Sequence, residues 1–96
     1  MKLILFHSHT CKQCRNQVKE FTDNPPSIQL EMVDIDAGVK DNDSSAFERI
    51  YVSMRNYGIT DLPTTVLIND DNALICKFID FVETKEIEEN LLMLQY

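Results

Sequence analysis

Tryptophan is absent from this chain of 96 residues, glycine occurs twice and proline three times, and nine bases stand against sixteen acids. Each shortage excludes something. With so little glycine there is no Gly-rich loop to cradle a phosphate, and no clustered acids suggest acid–base hydrolysis. A net charge of −7, without a basic stripe interleaved with aromatics, argues against a nucleic-acid partner. The apolar run near the start, residues 3–6, is far too short for a signal-peptide core or a membrane span. Three cysteines, two of them three residues apart, do not make the even, spread-out framework of a disulfide-stapled secreted domain. The expectation is a cytoplasmic protein in a reducing compartment, with no membrane association.

What is present is ordinary in amount and uneven in place. Apolar residues at 44% and charged residues at 26% suit one folded domain spanning residues 1–96. Residues 1–20 carry a net charge of +3 and residues 21–96 one of −10. The close cysteine pair lies in the basic part, within His-Ser-His-Thr-Cys-Lys-Gln-Cys-Arg at residues 7–15, where the local field favours a thiolate.

The periodicity places this cluster. Residues 2–6, Lys2 followed by four apolar residues without alternation, read as a central strand covered on both faces. A helix from Cys11 would bury Val18 and Phe21, leave Lys12, Arg15 and Lys19 in water, and end before Asn24-Pro25-Pro26. Residues 28–36 read as a second strand whose apolar phase changes after Met32, which predicts a bulge. Ser45 and Glu48 have the form of a capping box ahead of Phe47, Ile50, Tyr51 and Met54, and Gly58 marks that helix's end. Residues 64–68 and 73–79, joined by Asn69-Asp70-Asp71-Asn72, predict a hairpin. Thr84 would cap a last helix burying Ile87, Leu91 and Leu94. Cys76, alternating with Leu74 and Phe78, reads as a small buried hydrophobe.

The order β-α-β-α-β-β-α demands a four-stranded mixed sheet with helices on both faces. With a Cys-x-x-Cys opening the first helix, it resembles the thioredoxin fold. Tyr57-Gly58-Ile59 followed by Leu62-Pro63-Thr64 is similar to the stretch where thioredoxins carry a cis-proline, and in size the chain is similar to a glutaredoxin. The resemblance implies a thiol–disulfide oxidoreductase that needs no organic cofactor and acts, as a monomer, on a disulfide-containing protein. It implies that Thr10, Lys12, Gln13, Leu62, Pro63 and Ile79 contact substrate, with the backbone before Pro63 pairing with an extended segment.

Helix-end chemistry assigns the roles within the pair. Cys11 at a helix N-terminus faces unpaired backbone N–H groups, and Lys12 and Arg15 add positive charge, so its thiolate is stabilised. Cys14, one turn in, is less exposed. Cys11 should therefore attack and form the mixed disulfide, and Cys14 should resolve it.

Departures from the family sharpen the expectation. The dipeptide between the cysteines is Lys12-Gln13 instead of Gly-Pro, Thr10 stands where thioredoxins have Trp, and Leu5 stands at their buried acid. His7 or His9 is a candidate for that acid's work. Glutaredoxins carry a Lys where this chain has Ser8 and a Gly-Gly pair after the hairpin, which is missing; Ile79 replaces a glycine that leaves room for substrate. Reduction by a thioredoxin-type reductase or another protein dithiol is accordingly favoured over glutathione. Alternative readings are a glutathione-dependent protein, a zinc site built from His7, His9, Cys11 and Cys14, and a redox-inactive adaptor using the Leu62-Pro63 groove. For the histidines the plain reading is a solvated loop or partly packed imidazoles.

Overall fold

Residues 3–6 need cover on both sides, and in the computed structural model, which describes residues 1–37 and 44–94, they have it. Strand β1 (Lys2–His7) is central, with Leu3, Ile4, Leu5 and Phe6 all buried. It pairs in parallel with β2 (Gln29–Asp34) and antiparallel with β3 (Thr64–Ile68), whose five residues are also buried. β4 (Leu74–Ile79) runs antiparallel to β3, giving the order β2-β1-β3-β4. Helices α1 (Lys12–Asp23), α2 (Ser44–Asn56) and α3 (Thr84–Met93) complete the β-α-β-α-β-β-α sequence among the described residues.

Because side chains alternate along a strand, the sheet has two cores. Leu3, Leu5 and Leu67 meet Phe21 of α1, Val82, and Ile87 and Leu91 of α3 on one face. Ile4, Phe6, Val66 and Ile68 meet Ile59 on the other, with Met54, Tyr57 and Leu62 packed partly against them. The second face is the one α2 covers.

The expected bulge in β2 is not there: residues 29–34 pair in unbroken register with residues 2–7. The change of phase has another cause. Ile28 and Leu30 pack into the first core, Val33 and Ile35 into the second, so this edge segment serves each face in turn. The sheet's irregularity lies in β4, where Ile68 pairs with Leu74 and Leu67 with Cys76, leaving Ile75 as the extra residue. Leu74 is therefore out of phase with Cys76 and exposed, while Cys76 and Phe78 still pack on the first core.

Four helix expectations also change. Phe47 and Tyr51 point outward, and Ala46, Ile50, Ser53 and Tyr57 face the sheet instead. Ser45 stands inside α2, so it is not the capping residue, and the position before Ser44 lies outside the described residues. Glu83 is the N-cap of α3; Thr84 is its first residue and donates its hydroxyl to the Asn24 carbonyl, a tie to the end of α1. Leu94 is exposed. The stop at Gly58 has its expected geometry: φ is +64°, Ile59 N–H donates to Met54 O and Gly58 N–H to Arg55 O, which together form a Schellman cap.

Candidate active site

β1 delivers residues 8–11 to the sheet's C-terminal edge, where the chain turns into α1. Cys11 is the N-cap of that helix, with extended backbone angles (φ −97°, ψ 121°) and a sulfur that accepts the Cys14 N–H at 3.2 Å. It does with sulfur what Ser or Asp does with oxygen at other helix starts. The Cys11 thiol is pulled below its usual range, first by a hydrogen bond from the Cys14 side chain, then by the backbone N–H groups of Cys14 and Gln13, and weakly by the Arg15 guanidinium; partial desolvation works against them. The helix-end contribution expected from sequence is present, whereas Lys12 is not among the groups acting on the sulfur.

Cys14 lies in the stripe Cys14, Gln17, Val18, Phe21 that α1 turns toward the first core, and it is fully buried. Burial, then the Cys11 sulfur, pushes its thiol up to about 11, with the Ser8 backbone N–H acting in the opposite sense. The two sulfurs thus differ in exposure and in acidity, Cys11 being the more accessible and the more acidic. All three cysteines are free. Cys76 sits apart on β4, opposite Leu67, half-buried and with its thiol raised by burial.

Leu62 and Pro63 face the pair from the loop that leaves α2. Their peptide bond is cis, Pro63 is buried, and the Leu62 carbonyl lies 3.9 Å from the Cys11 sulfur. The Thr64 hydroxyl donates to the Asp61 carbonyl at 2.6 Å, and the Asp80 N–H donates to the Pro63 carbonyl at 2.8 Å, so both sides of the loop are tied. Ile79 stands opposite Thr64 and is exposed, extending an apolar rim beside Pro63. Thr10, Lys12 and Gln13 are exposed around the helix start. The left-handed backbone of this region falls on Asp80 (φ +71°), the residue after Ile79.

The histidines do not join the sulfurs. His9 places Nδ1 3.4 Å from Asp36 and 4.0 Å from Asp34, and among the described residues the converging ligand atoms are those of His9, Asp34 and Asp36. His7, at the end of β1, has its imidazole lowered by burial, with Asp34 and Asp36 opposing. A four-ligand set of His7, His9, Cys11 and Cys14 is not assembled.

Three side chains around the site were not singled out from sequence. Phe81, 40% exposed, borders a shallow pocket with Gln13 and Asn16 of α1. Gln17 is fully buried and pairs its amide with both the N–H and the carbonyl of Val82, at 2.7 and 2.8 Å. Asp36 accepts the Ser8 hydroxyl at 2.5 Å. The signal for Asp36 was available: β2 runs parallel to β1, so residues just after β2 reach the same edge as residues just after His7.

This arrangement is thioredoxin-like. Neither a protein-family model nor a curated protein sequence matches the chain. Solved structures do match in fold: a thioredoxin from Aeropyrum pernix is similar with a TM-score of 0.75 at 15% identity, over 97% of this chain and 73% of that one. Thioredoxin-2 of the malaria parasite, described as a component of its protein secretion machinery, is similar with a TM-score of 0.66 at 18% identity, over 96% and 81%. The reduced thioredoxin pre-protein of Schistosoma mansoni gives 0.61 at 17% identity, over 96% and 76%.

Proposed function

We propose that the protein is a thiol–disulfide oxidoreductase that reduces protein disulfides through the Cys11–Cys14 dithiol. The observation that carries this reading is the contrast within the pair: an accessible sulfur fed by helix N–H groups, above a buried thiol pushed up to about 11. The Cys11 thiolate attacks one sulfur of a substrate disulfide, forming a mixed disulfide and releasing the other as thiolate. Cys14 then gives up its proton, attacks the Cys11 sulfur and releases the second substrate thiol, so two electrons pass to substrate and Cys11–Cys14 is left oxidised. Proximity makes the second step intramolecular.

Thr10, Lys12, Gln13, Leu62, Pro63 and Ile79 form the proposed substrate surface, which accepts an extended segment along Leu62 and an apolar side chain over Ile79. A protein dithiol, such as a thioredoxin-type reductase, is the favoured electron donor, and a cytoplasm-like reducing compartment suits the dithiol state. Support comes from the place where a glutathione carboxylate would need a cation. Ser8 is buried there with Asp36 bonded to it, Asp34 lies beside them, and two carboxylates repel a third. No described helix is long and apolar enough to cross a membrane.

The test is substrate trapping. With Cys14→Ser, the mixed disulfide at Cys11 should accumulate with a protein partner, and with Cys11→Ser no adduct should form. Parallel turnover of a model disulfide with glutathione or with a thioredoxin-type reductase decides the donor. Efficient glutathione-driven turnover with no response to the reductase would overturn that assignment.

A further inference from the structure

We propose that Asp36 is a positioning residue for Cys11, acting through Ser8 on the turn that aims the nucleophilic sulfur at the start of α1. The inference rests on the dithiol reading above and concerns how that site is set. Ser8 is 6% exposed and has one hydroxyl proton, which goes to the Asp36 carboxylate at 2.5 Å. With that proton committed, Ser8 Oγ can only accept from Thr10, and it takes both the Thr10 hydroxyl at 2.9 Å and the Thr10 N–H at 3.3 Å. A charged acceptor at the head of the chain fixes the direction of every bond in it and strengthens them.

The same residue touches both cysteines. The Ser8 carbonyl accepts the Cys11 N–H at 3.2 Å, closing the turn over residues 8–11, and the Ser8 N–H faces the Cys14 sulfur. Cys11 keeps its sulfur on the Cys14 N–H only while that turn holds the N-cap in place. Asp36 is itself set by its own N–H, which donates to Asp34 Oδ1 at 2.9 Å, and the ionisable groups around it are Asp34, His9 and His7. The route from β2 to the nucleophile therefore runs through Asp34, Asp36, Ser8 and Cys11, joined by three hydrogen bonds.

Geometry and charge predict opposite signs, which makes the idea testable. As a bare negative charge near the site, Asp36 would disfavour the Cys11 thiolate, and its removal would speed alkylation. As the holder of the turn it favours the thiolate, and its removal slows alkylation. The experiment is iodoacetamide alkylation of Cys11, resolved by mass spectrometry, across pH in the full chain. Asp36→Ala should lower the rate at pH 7 by roughly three- to tenfold, the range set by one hydrogen bond, while Asp36→Asn, which still accepts from Ser8 but without the charge, should lose less than Asp36→Ala. Ser8→Ala should repeat the loss and serves as the second variant if Asp36→Ala fails to fold. Faster alkylation in both Asp36 variants, or an unchanged pH profile in a destabilised Asp36→Ala, overturns the proposal. An unreactive wild-type Cys11 would overturn the dithiol reading as well; a reactive one with Asp36→Ala unchanged overturns this inference alone.

Discussion

On one face of the sheet α1 and α3 press Phe21, Ile87 and Leu91 against Leu3, Leu5 and Leu67 with almost no exposed area; on the other, α2 buries no residue fully. Between α2 and the sheet runs a groove of about 490 Å³, bordered by Ile4, Phe6, Val33, Ile50 and Tyr57. Phe47, Tyr51 and Val52 of α2 remain in water. The difference matters because the candidate site draws on both sides. Cys14 and Gln17 belong to the closely packed face, as part of the same stripe as Phe21, whereas Leu62 arrives from the α2 side. The helix that Cys11 caps is anchored by the better core, and the loop it faces is carried by the lesser one.

The comparison breaks first on truncation of a core residue. Ile87→Ala removes a fully buried side chain from the close-packed face and should cost about 3 kcal/mol by urea denaturation. Ile50→Ala removes a half-buried one beside the groove and should cost about 1 kcal/mol. Equal losses would mean that α2 is packed as well as α1 and α3.

Gln17 comes next. Its amide is the polar joint of the close-packed face, and Gln17→Ala leaves the buried Val82 N–H and carbonyl without those partners, for a loss of about 2–3 kcal/mol. Because Val82 follows Phe81, which lies beside Gln13, the same variant should also disturb that edge of the proposed substrate surface, read as a raised KM for a protein disulfide. Asn24 and Glu20 hold Thr84 nearby, so the segment should loosen without detaching.

A smaller effect separates the two sulfurs. Cys14 is raised from its usual 9.0 to about 11, so its neutral form stabilises the reduced fold fully below pH 9. Between pH 9 and 11 the unfolded thiol loses its proton while the folded one keeps it, and stability falls as pH rises. Cys76, also raised, adds to the fall, and Cys11, which is lowered, has its loss at the acid side instead. The urea midpoint of reduced protein should drop from pH 9 to 11, and drop less in Cys14→Ala.

Much of this was legible in the sequence, for reasons that vary by element. β1 is buried on both faces, so its apolar run was enough to place it at the centre, whereas β3, equally buried, was legible only as one strand of a hairpin. The Cys-x-x-Cys turn and the Gly58 stop are local, set by a few adjacent residues. Tertiary partners decided the rest. The phase change in β2 has two physical readings, a bulge or an edge strand serving two cores, and only its neighbours choose between them. Gln17 looks like a surface residue until Val82 supplies both halves of its amide pairing. Phe47 and Tyr51 have helical spacing and lost the sheet-facing positions to Ala46 and Ser53, because a helix periodicity fixes a stripe but not which of two adjoining stripes turns inward.

The smallest expected effect lies at the end of α2 and probes how far its face is coupled to Cys11. Gly58 has φ +64°, a conformation that costs a residue with a Cβ about 1 kcal/mol or somewhat more. A Cβ added there would meet Lys77 Nζ at 3.3 Å, the far end of a flexible side chain that now donates to the Gly58 carbonyl at 3.1 Å. Crowding is therefore relieved by a small movement of Lys77, and the backbone term remains. Gly58→Ala should lose about 1 kcal/mol, and Gly58→Asn less, because Asn tolerates the left-handed region. Adding Lys77→Met should not restore Gly58→Ala; restoration would make crowding the cause. Cys11 depends on α1 and Ser8, on the other side of the sheet's edge from this cap, so its alkylation profile should be unchanged in Gly58→Ala. A shifted profile would mean that strain at the α2 stop reaches Leu62 and, through its carbonyl 3.9 Å from the sulfur, Cys11 itself.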